Sequence, residues 1–220
     1  MNLFDILGPV MVGPSSSHTA GAVRIGYISG KLLQDHVVKA EILLHGSFAA
    51  TGIGHGTDKA LIAGLLGMRP DDIRIPASFE LAEKAGMEFS FSTITLKDAH
   101  PNTAVLRLTG EHGRKIEVQA ASIGGGRILI AKLDGIEVNF SAEKPTLIVH
   151  NVDQPGHVAQ VTSMLAERNV NIATLQLYRD KRGGYAVMVI ETDQEVPEES
   201  VAWLEHLDGI IKVTYINVEE

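Results

Sequence analysis

The stretch TLIVHNVDQPGHVAQVTSMLAERNVNIATLQLYRD, residues 146–180, changes its hydrophobic pattern three times. Residues 146–152 form an apolar, β-branched run that predicts a strand, and the turn-forming residues DQPG follow it. Apolar residues at helical spacing then predict a helix from His157 to about Arg168. Residues 172–180 predict a second strand, so this stretch indicates a β-α-β unit.

The next residues continue this pattern to the end of the chain. The Gly-Gly pair at 183–184 predicts a hairpin turn, and residues 185–193 predict a third strand. A helix is predicted over 197–206, because proline and two glutamates suit a first helical turn. With a last strand over 210–218, the order is β-α-β-β-α-β, which is typical of a ferredoxin-like domain.

A domain boundary is predicted within NFSAEKPTL, residues 139–147, where polar residues and a proline interrupt the strand patterns. This gives a first domain over 1–143 and a second over 146–220. Helices are predicted early in the first domain and strands late, which indicates an α+β or mixed α/β fold with one sheet packed on helices. The predicted helices lie near 25–32, 57–66 and 79–85, and the predicted strands over 39–44, 88–96, 103–108, 115–122, 127–133 and 136–140.

Composition excludes several classes of function. The 220 residues carry 19 Lys and Arg against 27 Asp and Glu, a formal net charge of -8, which disfavours binding to a phosphate backbone. The chain has no cysteine, which excludes disulfides, thiol nucleophiles and thiolate ligands to a cluster from this chain. No apolar run is long enough to span a bilayer and no secretory signal is evident, so we expect a cytoplasmic protein.

The C-terminal unit resembles the ACT domain, a regulatory module of amino-acid enzymes. The resemblance rests on the DQPG turn at 153–156 and on NVNI at 169–172. It implies that Asn151, Asp153 and Asn171 face an amino-acid ligand, that Gly156 allows close backbone approach, and that two copies pair edge to edge. Alternatively, the polar residues only cap a turn and a strand, and the unit serves dimerisation alone.

Four polar motifs stand out in the first domain. In GPSSSHTAG, residues 13–21, three serines precede a predicted helix, where hydroxyls and amides favour an anion such as a carboxylate. In HGSFAATGIGHGTDKA, residues 45–60, glycines permit close backbone approach after a strand. HPNT at 100–103 places an imidazole beside an amide, and SIGGG at 122–126 either cradles an anion or lets a strand bend.

These four motifs, in this order and followed by an ACT-like unit, resemble the beta chain of iron–sulfur-dependent L-serine dehydratases over the whole chain. The resemblance implies deamination of L-serine to pyruvate and ammonia by β-elimination. It also implies a [4Fe–4S] cluster ligated by a separate alpha chain, with no metal ligand in this chain. The first domain also resembles the allosteric substrate-binding domain of some phosphoglycerate dehydrogenases.

The resemblance also assigns site residues. The catalytic candidates are His18, His55 and His100. The substrate-binding candidates are Ser15, Ser16, Ser17, Thr19, His45, Ser47, Thr51, Asp58 and Asn102. The regulatory candidates of the ACT-like unit are Asn151, Asp153, Gly156 and Asn171.

Other readings of the same residues are a non-catalytic, amino-acid-binding regulatory protein and a mononuclear metal site. The latter would use His18, His45, His55, His100 and Asp58, although their spacing matches no known ligand signature. A serine hydrolase is disfavoured, because no serine lies in a G-x-S-x-G motif.

Overall fold

A computed structural model describes residues 11–13 and 15–217, except for the side chain of Ile53. The chain divides into two compact units after Gly135. The observed division precedes the boundary predicted at 139–147 by one short strand, β6 (Ile136–Phe140). The predicted mixed α/β class is confirmed, because helices and a mixed sheet form the first unit.

The first unit places helices mostly before strands, as predicted. Its elements are α1 (Gly21–Leu33), β1 (Val37–Leu44), α2 (Gly46–His55), α3 (Thr57–Leu65), α4 (Ser78–Lys84), β2 (Glu88–Thr93), β3 (Thr103–Gly110), β4 (Lys115–Gly124) and β5 (Arg127–Leu133). These strands lie in the order β2-β1-β3-β4-β5. The β1–β2 pair is parallel and the remaining pairs are antiparallel.

Helices α1 and α3 cross in backbone contact. A Cβ at Gly26 would lie 2.2 Å from the Leu61 carbonyl oxygen, and a Cβ at Gly64 would lie 2.0 Å from the Val23 carbonyl oxygen. Because neither distance can accommodate a carbon atom, both positions require glycine for steric reasons and not for backbone conformation. The crossing brings the N-terminal ends of the two helices, which carry residues of the first and second motifs, close together.

Helix α2 is not among the predicted helices. It spans Gly46–His55 and contains glycine at three of its ten positions, each of which disfavours a helix by about 1 kcal/mol relative to alanine. The side chain of Phe48, which lies on this helix, is fully buried. Burial of this ring and contacts with the neighbouring motif outweigh the local propensity, which is why the sequence pattern did not reveal the helix.

The second unit contains the predicted β-α-β-β-α-β order. After β6 come β7 (Thr146–Val152), α5 (His157–Glu167), β8 (Ile172–Arg179), β9 (Tyr185–Thr192), α6 (Glu198–Glu205) and β10 (Ile210–Ile216). The four ferredoxin-like strands form an antiparallel sheet in the order β10-β7-β9-β8. Apolar residues of both helices and of alternate strand positions form one core, including Leu147, Val161, Leu165, Met188 and Leu204.

Within residues 11–13 and 15–217, no helix is both long enough and apolar enough to cross a bilayer.

The helix crossing leads to a prediction about stability. Gly26→Ala or Gly64→Ala would force α1 and α3 apart, and we expect a loss of about 2 kcal/mol in the free energy of unfolding. Gly30→Ala is the matched control, because its Cβ would make only ordinary contact, 3.7 Å from the Leu65 carbonyl oxygen. Since alanine favours helices, Gly30→Ala is expected to stabilise by up to about 1 kcal/mol. Thermal unfolding followed by circular dichroism measures all three variants, and equal midpoints would contradict the steric argument.

Candidate active site

The second and third motifs are held together by backbone hydrogen bonds. The His45 amide donates to the Thr103 carbonyl oxygen at 3.0 Å, and the Ser47 amide donates to the Pro101 carbonyl oxygen at 2.8 Å. Between them, Gly46 has φ of +56°, and its Cβ would lie 2.5 Å from that Pro101 oxygen. Only glycine allows α2 to begin directly beside the HPNT loop.

The fourth motif contacts both the third and the first. The Ser122 amide donates to the Asn102 carbonyl oxygen at 2.9 Å. The side chain of Ser122 is buried against the backbone at Gly21, where a Cβ would lie 2.0 Å from the serine Oγ. All four motifs therefore meet at one end of the first unit.

The glycine triplet of the fourth motif forms the turn between β4 and β5. Gly124, Gly125 and Gly126 all have positive φ, of 96°, 62° and 75°. Glycine adopts this conformation readily, whereas most other residues are strained in it. The structure therefore supports the prediction that the SIGGG motif bends the chain between two strands.

His18 lies at the centre of the meeting point, with hydroxyl groups at both ring nitrogens. Its Nε2 is 3.2 Å from Ser47 Oγ and 3.1 Å from Thr51 Oγ1. Its Nδ1 is 3.1 Å from Ser17 Oγ and 3.5 Å from Ser15 Oγ. The imidazole is thus bracketed by serines of the first motif and by hydroxyls on α2.

The hydrogen-bond network selects one tautomer of His18. Thr51 Oγ1 donates its proton to the Ser47 carbonyl oxygen at 2.9 Å, so it can only accept from the imidazole. The Nε2 atom therefore carries the proton, and Nδ1 accepts from the Ser17 hydroxyl. The unprotonated nitrogen faces the serines of the first motif.

The surroundings of His18 keep the imidazole neutral. Burial lowers the pKa of His18 below 6.5, and the neighbouring charge of His55 lowers it further, while a hydrogen bond from the imidazole to the Ser47 backbone raises it. The two histidine rings are 5.0 Å apart between centroids, and the Phe48 ring meets His18 edge-on at 5.4 Å. A neutral imidazole has one unprotonated nitrogen that can accept a proton, which is the basic requirement of a general base.

The backbone around His18 is also fixed. Ser15 Oγ accepts from the His18 amide at 3.2 Å and begins a single π-helical turn, Ser16–Ala20, ahead of α1. Such turns are frequent at functional sites. Thr57 Oγ1 donates to the His18 carbonyl oxygen at 3.0 Å from the first position of α3.

Sequence reasoning missed Thr57 and Phe48 as parts of this site. Thr57 is fully buried, although a threonine at a helix start is usually interpreted as a local cap. The contact to His18 spans 39 residues of sequence, so no local pattern could reveal it.

Two of the predicted site histidines, His45 and His100, form hydrogen bonds that hold loops and do not belong to the His18 hydrogen-bond network. His45 Nδ1 accepts from the Leu96 amide at 3.2 Å, which ties the end of β1 to the segment after β2. His100 is exposed, and its Nδ1 accepts from the Asn102 amide at 3.1 Å within the HPNT loop. The bond from the Asn102 amide places the proton of a neutral His100 ring on Nε2.

The remaining substrate-binding candidates occupy the margins of the site. The Ser16 carbonyl oxygen accepts from the Gly21 amide, and Asp58 Oδ1 accepts from the Lys59 amide at 2.8 Å. Thr19 Oγ1 is buried and has no hydrogen-bond partner among the residues described. Asn102 contributes its carbonyl oxygen to the fourth motif, as above.

No metal-binding donor set is present in the residues that the structure covers. It contains no group of three or more His, Asp or Glu side chains arranged to hold a metal ion. The chain also lacks cysteine entirely. The mononuclear metal hypothesis therefore has no support in the geometry, and these residues do not fit the ligand set of an iron–sulfur cluster.

In the ACT-like unit the structure separates two of the predicted regulatory residues. Asp153 Oδ2 accepts from Arg179 Nη1 at 3.0 Å and from the Gly183 amide at 2.9 Å, which anchors the β8–β9 hairpin and lowers the Asp153 pKa. Asn171 Nδ2 donates to Asp193 Oδ2 at 2.7 Å, before β8 begins. The two residues lie near opposite ends of β8, whose 8 residues span about 26 Å at roughly 3.3 Å per residue. One chain alone therefore does not bring them to a common ligand.

The other two regulatory residues lie at the end of β7 and immediately before α5. Gly156 precedes that helix with φ of 108°, a conformation that favours glycine. Asn151 is 3% exposed, and its Oδ1 has no hydrogen-bond partner in the described part of the chain.

Comparisons with known proteins agree with both parts of this architecture. The serine dehydratase beta chain family model matches residues 2–132, and the ACT domain family model matches residues 145–202. The chain is 40% identical to the probable L-serine dehydratase, beta chain, of Bacillus subtilis (strain 168), covering 98% of this chain and 97% of that protein. It is 37% identical to the L-serine dehydratase, beta chain, of Peptoniphilus asaccharolyticus, with the same coverage of 98% and 97%.

A longer relative matches over part of its length. The L-serine dehydratase of Mycobacterium bovis is 30% identical to this chain, over 61% of this chain and 34% of that protein. The matched part is therefore about a third of the longer enzyme.

The electrostatics of His18 yield a prediction for NMR titration. We expect the His18 imidazole to titrate below 6.5, and His55→Gln to raise its pKa toward that value by removing a neighbouring positive charge. Because the folded pKa is lowered, this group's contribution to stability is complete above pH 6.5 and declines as the pH falls. His100→Gln is the control and should leave the His18 titration unchanged. A His18 pKa at or above 6.5 in the wild type would contradict the assigned environment.

Proposed function

The chain belongs to the serine dehydratase beta chain family, and from this premise we propose that it is the beta subunit of a two-chain L-serine ammonia-lyase. The overall reaction would convert L-serine to pyruvate and ammonia. L-serine loses its Cα proton and Cβ hydroxyl as water to give 2-aminoacrylate, which tautomerises to the imine and is hydrolysed. Apart from the water released and then consumed, the balance is one L-serine to one pyruvate and one ammonia.

The matches support a partner chain. The two full-length relatives are named beta chains, and the chain corresponds to about a third of the longer Mycobacterium bovis enzyme. We propose that an alpha chain supplies the remainder, including the [4Fe–4S] cluster, since this chain offers no thiolate. No step of the reaction is assigned to the cluster from the residues of this chain.

We propose that His18 accepts and then releases the proton that is transferred in the reaction. Its Nδ1 is unprotonated and faces the serines of the first motif, where a substrate group would displace or join the Ser17 hydroxyl. When Nδ1 takes up a proton, Nε2–H keeps its acceptor at Thr51, so the imidazolium is hydrogen-bonded on both sides. The nearby His55 lowers the affinity of His18 for that proton and so favours its release.

The serines of the first motif are proposed to bind the substrate carboxylate. Ser15 and Ser17 hydroxyls lie 3.3 Å apart at the mouth of the π-helical turn that leads into α1. A helix start attracts negative charge, because its dipole and unpaired amides are oriented toward it. The observation that carries the proposal is this convergence of hydroxyls from two distant motifs on one neutral histidine.

Activity of the reconstituted enzyme tests this assignment. With the cognate alpha chain co-expressed anaerobically, we expect His18→Gln to lower kcat for pyruvate formation from L-serine by about 100-fold or more, the usual contribution of a general base. Ser17→Ala should mainly raise KM, and Thr57→Val should lower kcat less than His18→Gln does. His36→Ala is the matched control, since His36 is exposed and lies just before β1, whereas Ser47 and Thr51 of the site follow the opposite end of that strand.

Two outcomes would contradict the proposal. If a cluster-loaded wild-type complex forms no pyruvate from L-serine, the chain is instead the non-catalytic amino-acid-binding regulatory protein considered above. Full activity of both His18→Gln and Ser17→Ala would remove the first motif from the active site.

For the ACT unit, we propose that two copies pair through β8 and bind an amino acid such as L-serine. Strand β8 is an edge of its sheet, and Leu177 on it is 46% exposed. Antiparallel pairing of two β8 edges would place Asn171 of one copy near Asp153 of the second copy, which one chain alone cannot do. Such pairing would therefore complete the predicted ligand site.

This pairing is testable by sedimentation velocity on the full chain. We expect the wild type to self-associate, and Leu177→Lys to shift it toward the monomer, because a charge on an edge strand opposes pairing. Thr162→Lys on the outer face of α5 provides a surface-charge control and should not change the sedimentation. Calorimetric titration with L-serine should give heat for the wild type and less for Leu177→Lys. Identical sedimentation of the two proteins would exclude β8 as the interface.

A further inference from the structure

A groove in the ACT unit is lined by residues of its two helices, α5 and α6. Its volume is about 490 Å³, within the range of pockets that hold small molecules. Met164 of α5 and Trp203 of α6 supply apolar lining, and Trp203 is 47% exposed. A half-exposed indole beside a thioether offers a surface for an apolar group.

A buried hydroxyl in the lining has no partner. Ser200 is 1% exposed and lines the groove, and its Oγ makes no hydrogen bond to any residue that the structure describes. A buried hydroxyl without a partner destabilises the folded state by about 1–3 kcal/mol, so native proteins generally provide one. Because Ser200 lines the groove, rotation of its side chain about χ1 would bring the hydroxyl to a ligand bound there.

Opposite charges stand side by side at one end of the groove. Glu167 ends α5 and Arg168 follows it, and both line the groove. Arg168 Nη1 is 3.4 Å from Glu199 Oε1, a contact that joins the end of α5 to the start of α6. Because this ion pair is long and both side chains are about half exposed or more, the guanidinium retains donors for another carboxylate.

We propose that this groove binds a free amino acid with an apolar side chain. The ammonium group would pair with Glu167, the carboxylate would accept from Arg168 and from the Ser200 hydroxyl, and the side chain would lie on Trp203 and Met164. The end of α5 favours the positive group and the start of α6 the negative one, in keeping with their dipoles. The lining of this site includes no residue of the loop at 151–156, and the proposal does not depend on the function proposed for the first unit.

The chain carries its own reporter for the test, because Trp203 is its single tryptophan. We would titrate the full chain with L-leucine while exciting tryptophan selectively, and confirm binding by calorimetry. The proposal predicts a saturable change in Trp203 emission. Glycine, 4-methylpentanoate and isopentylamine each lack one of the three recognised groups and should bind roughly tenfold more weakly or worse.

Variants separate a binding role from a structural one. Arg168→Gln should weaken L-leucine binding about tenfold, whereas Glu199→Gln, which removes only the ion pair, should not weaken it. Ser200→Ala should raise the thermal midpoint, because it removes an unpaired hydroxyl, and yet weaken binding. Asp153→Asn should leave the Trp203 response unchanged, since Asp153 belongs to the other loop.

The proposal would be overturned by the absence of any saturable emission change or heat with L-leucine, by equal responses to L-leucine and 4-methylpentanoate, or by unchanged affinity in both Arg168→Gln and Ser200→Ala. An emission change that depends on protein concentration and not on L-leucine would also overturn it and would show that a second copy covers the groove. Pyruvate formation by the first unit is measured separately, so its failure would not affect these readouts.

Discussion

The close crossing of α1 and α3 is the constraint on which the first unit depends. With glycine at 26 and 64, the two helix backbones come into contact, and their N-terminal ends meet. Only at that distance can Thr57 reach the His18 carbonyl oxygen. The position of the central imidazole is therefore set by two residues that have no side chain and take no part in the chemistry. The steric need for glycine at positions 26 and 64 therefore also determines the geometry of the site around His18.

The same region shows how small residues allow polar groups to converge. Gly46 lets α2 start against the HPNT loop, and Gly21 leaves room for Ser122. These close approaches bring hydroxyls from positions 15, 17, 47 and 51 around one histidine. Burial of that histidine then keeps it neutral, which is the state that a proton acceptor needs. Packing and chemistry are coupled here through the glycines.

In the ACT unit, one chain does not bring the predicted regulatory residues Asp153 and Asn171 together. Its first loop is anchored by Asp153, whose carboxylate already has two donors, while Asn171 serves the opposite end of β8. A ligand that contacts both needs a second copy. The groove between α5 and α6, in contrast, has all of its polar and apolar groups within one chain.

Sequence patterns alone determined much of this protein. The hydrophobic periodicities gave the β-α-β-β-α-β order at 146–218, and the missing cysteines placed any thiolate-ligated cluster outside the chain. The four polar motifs predicted which segments form the site, because polar and glycine residues at the ends of helices and strands can be recognised from local sequence. Tertiary structure alone decided that 46–55 is a helix, that Thr57 holds His18, and that Asp153 and Asn171 lie apart. Each of these depends on contacts between residues far apart in sequence, whose burial and hydrogen bonding outweigh local propensity.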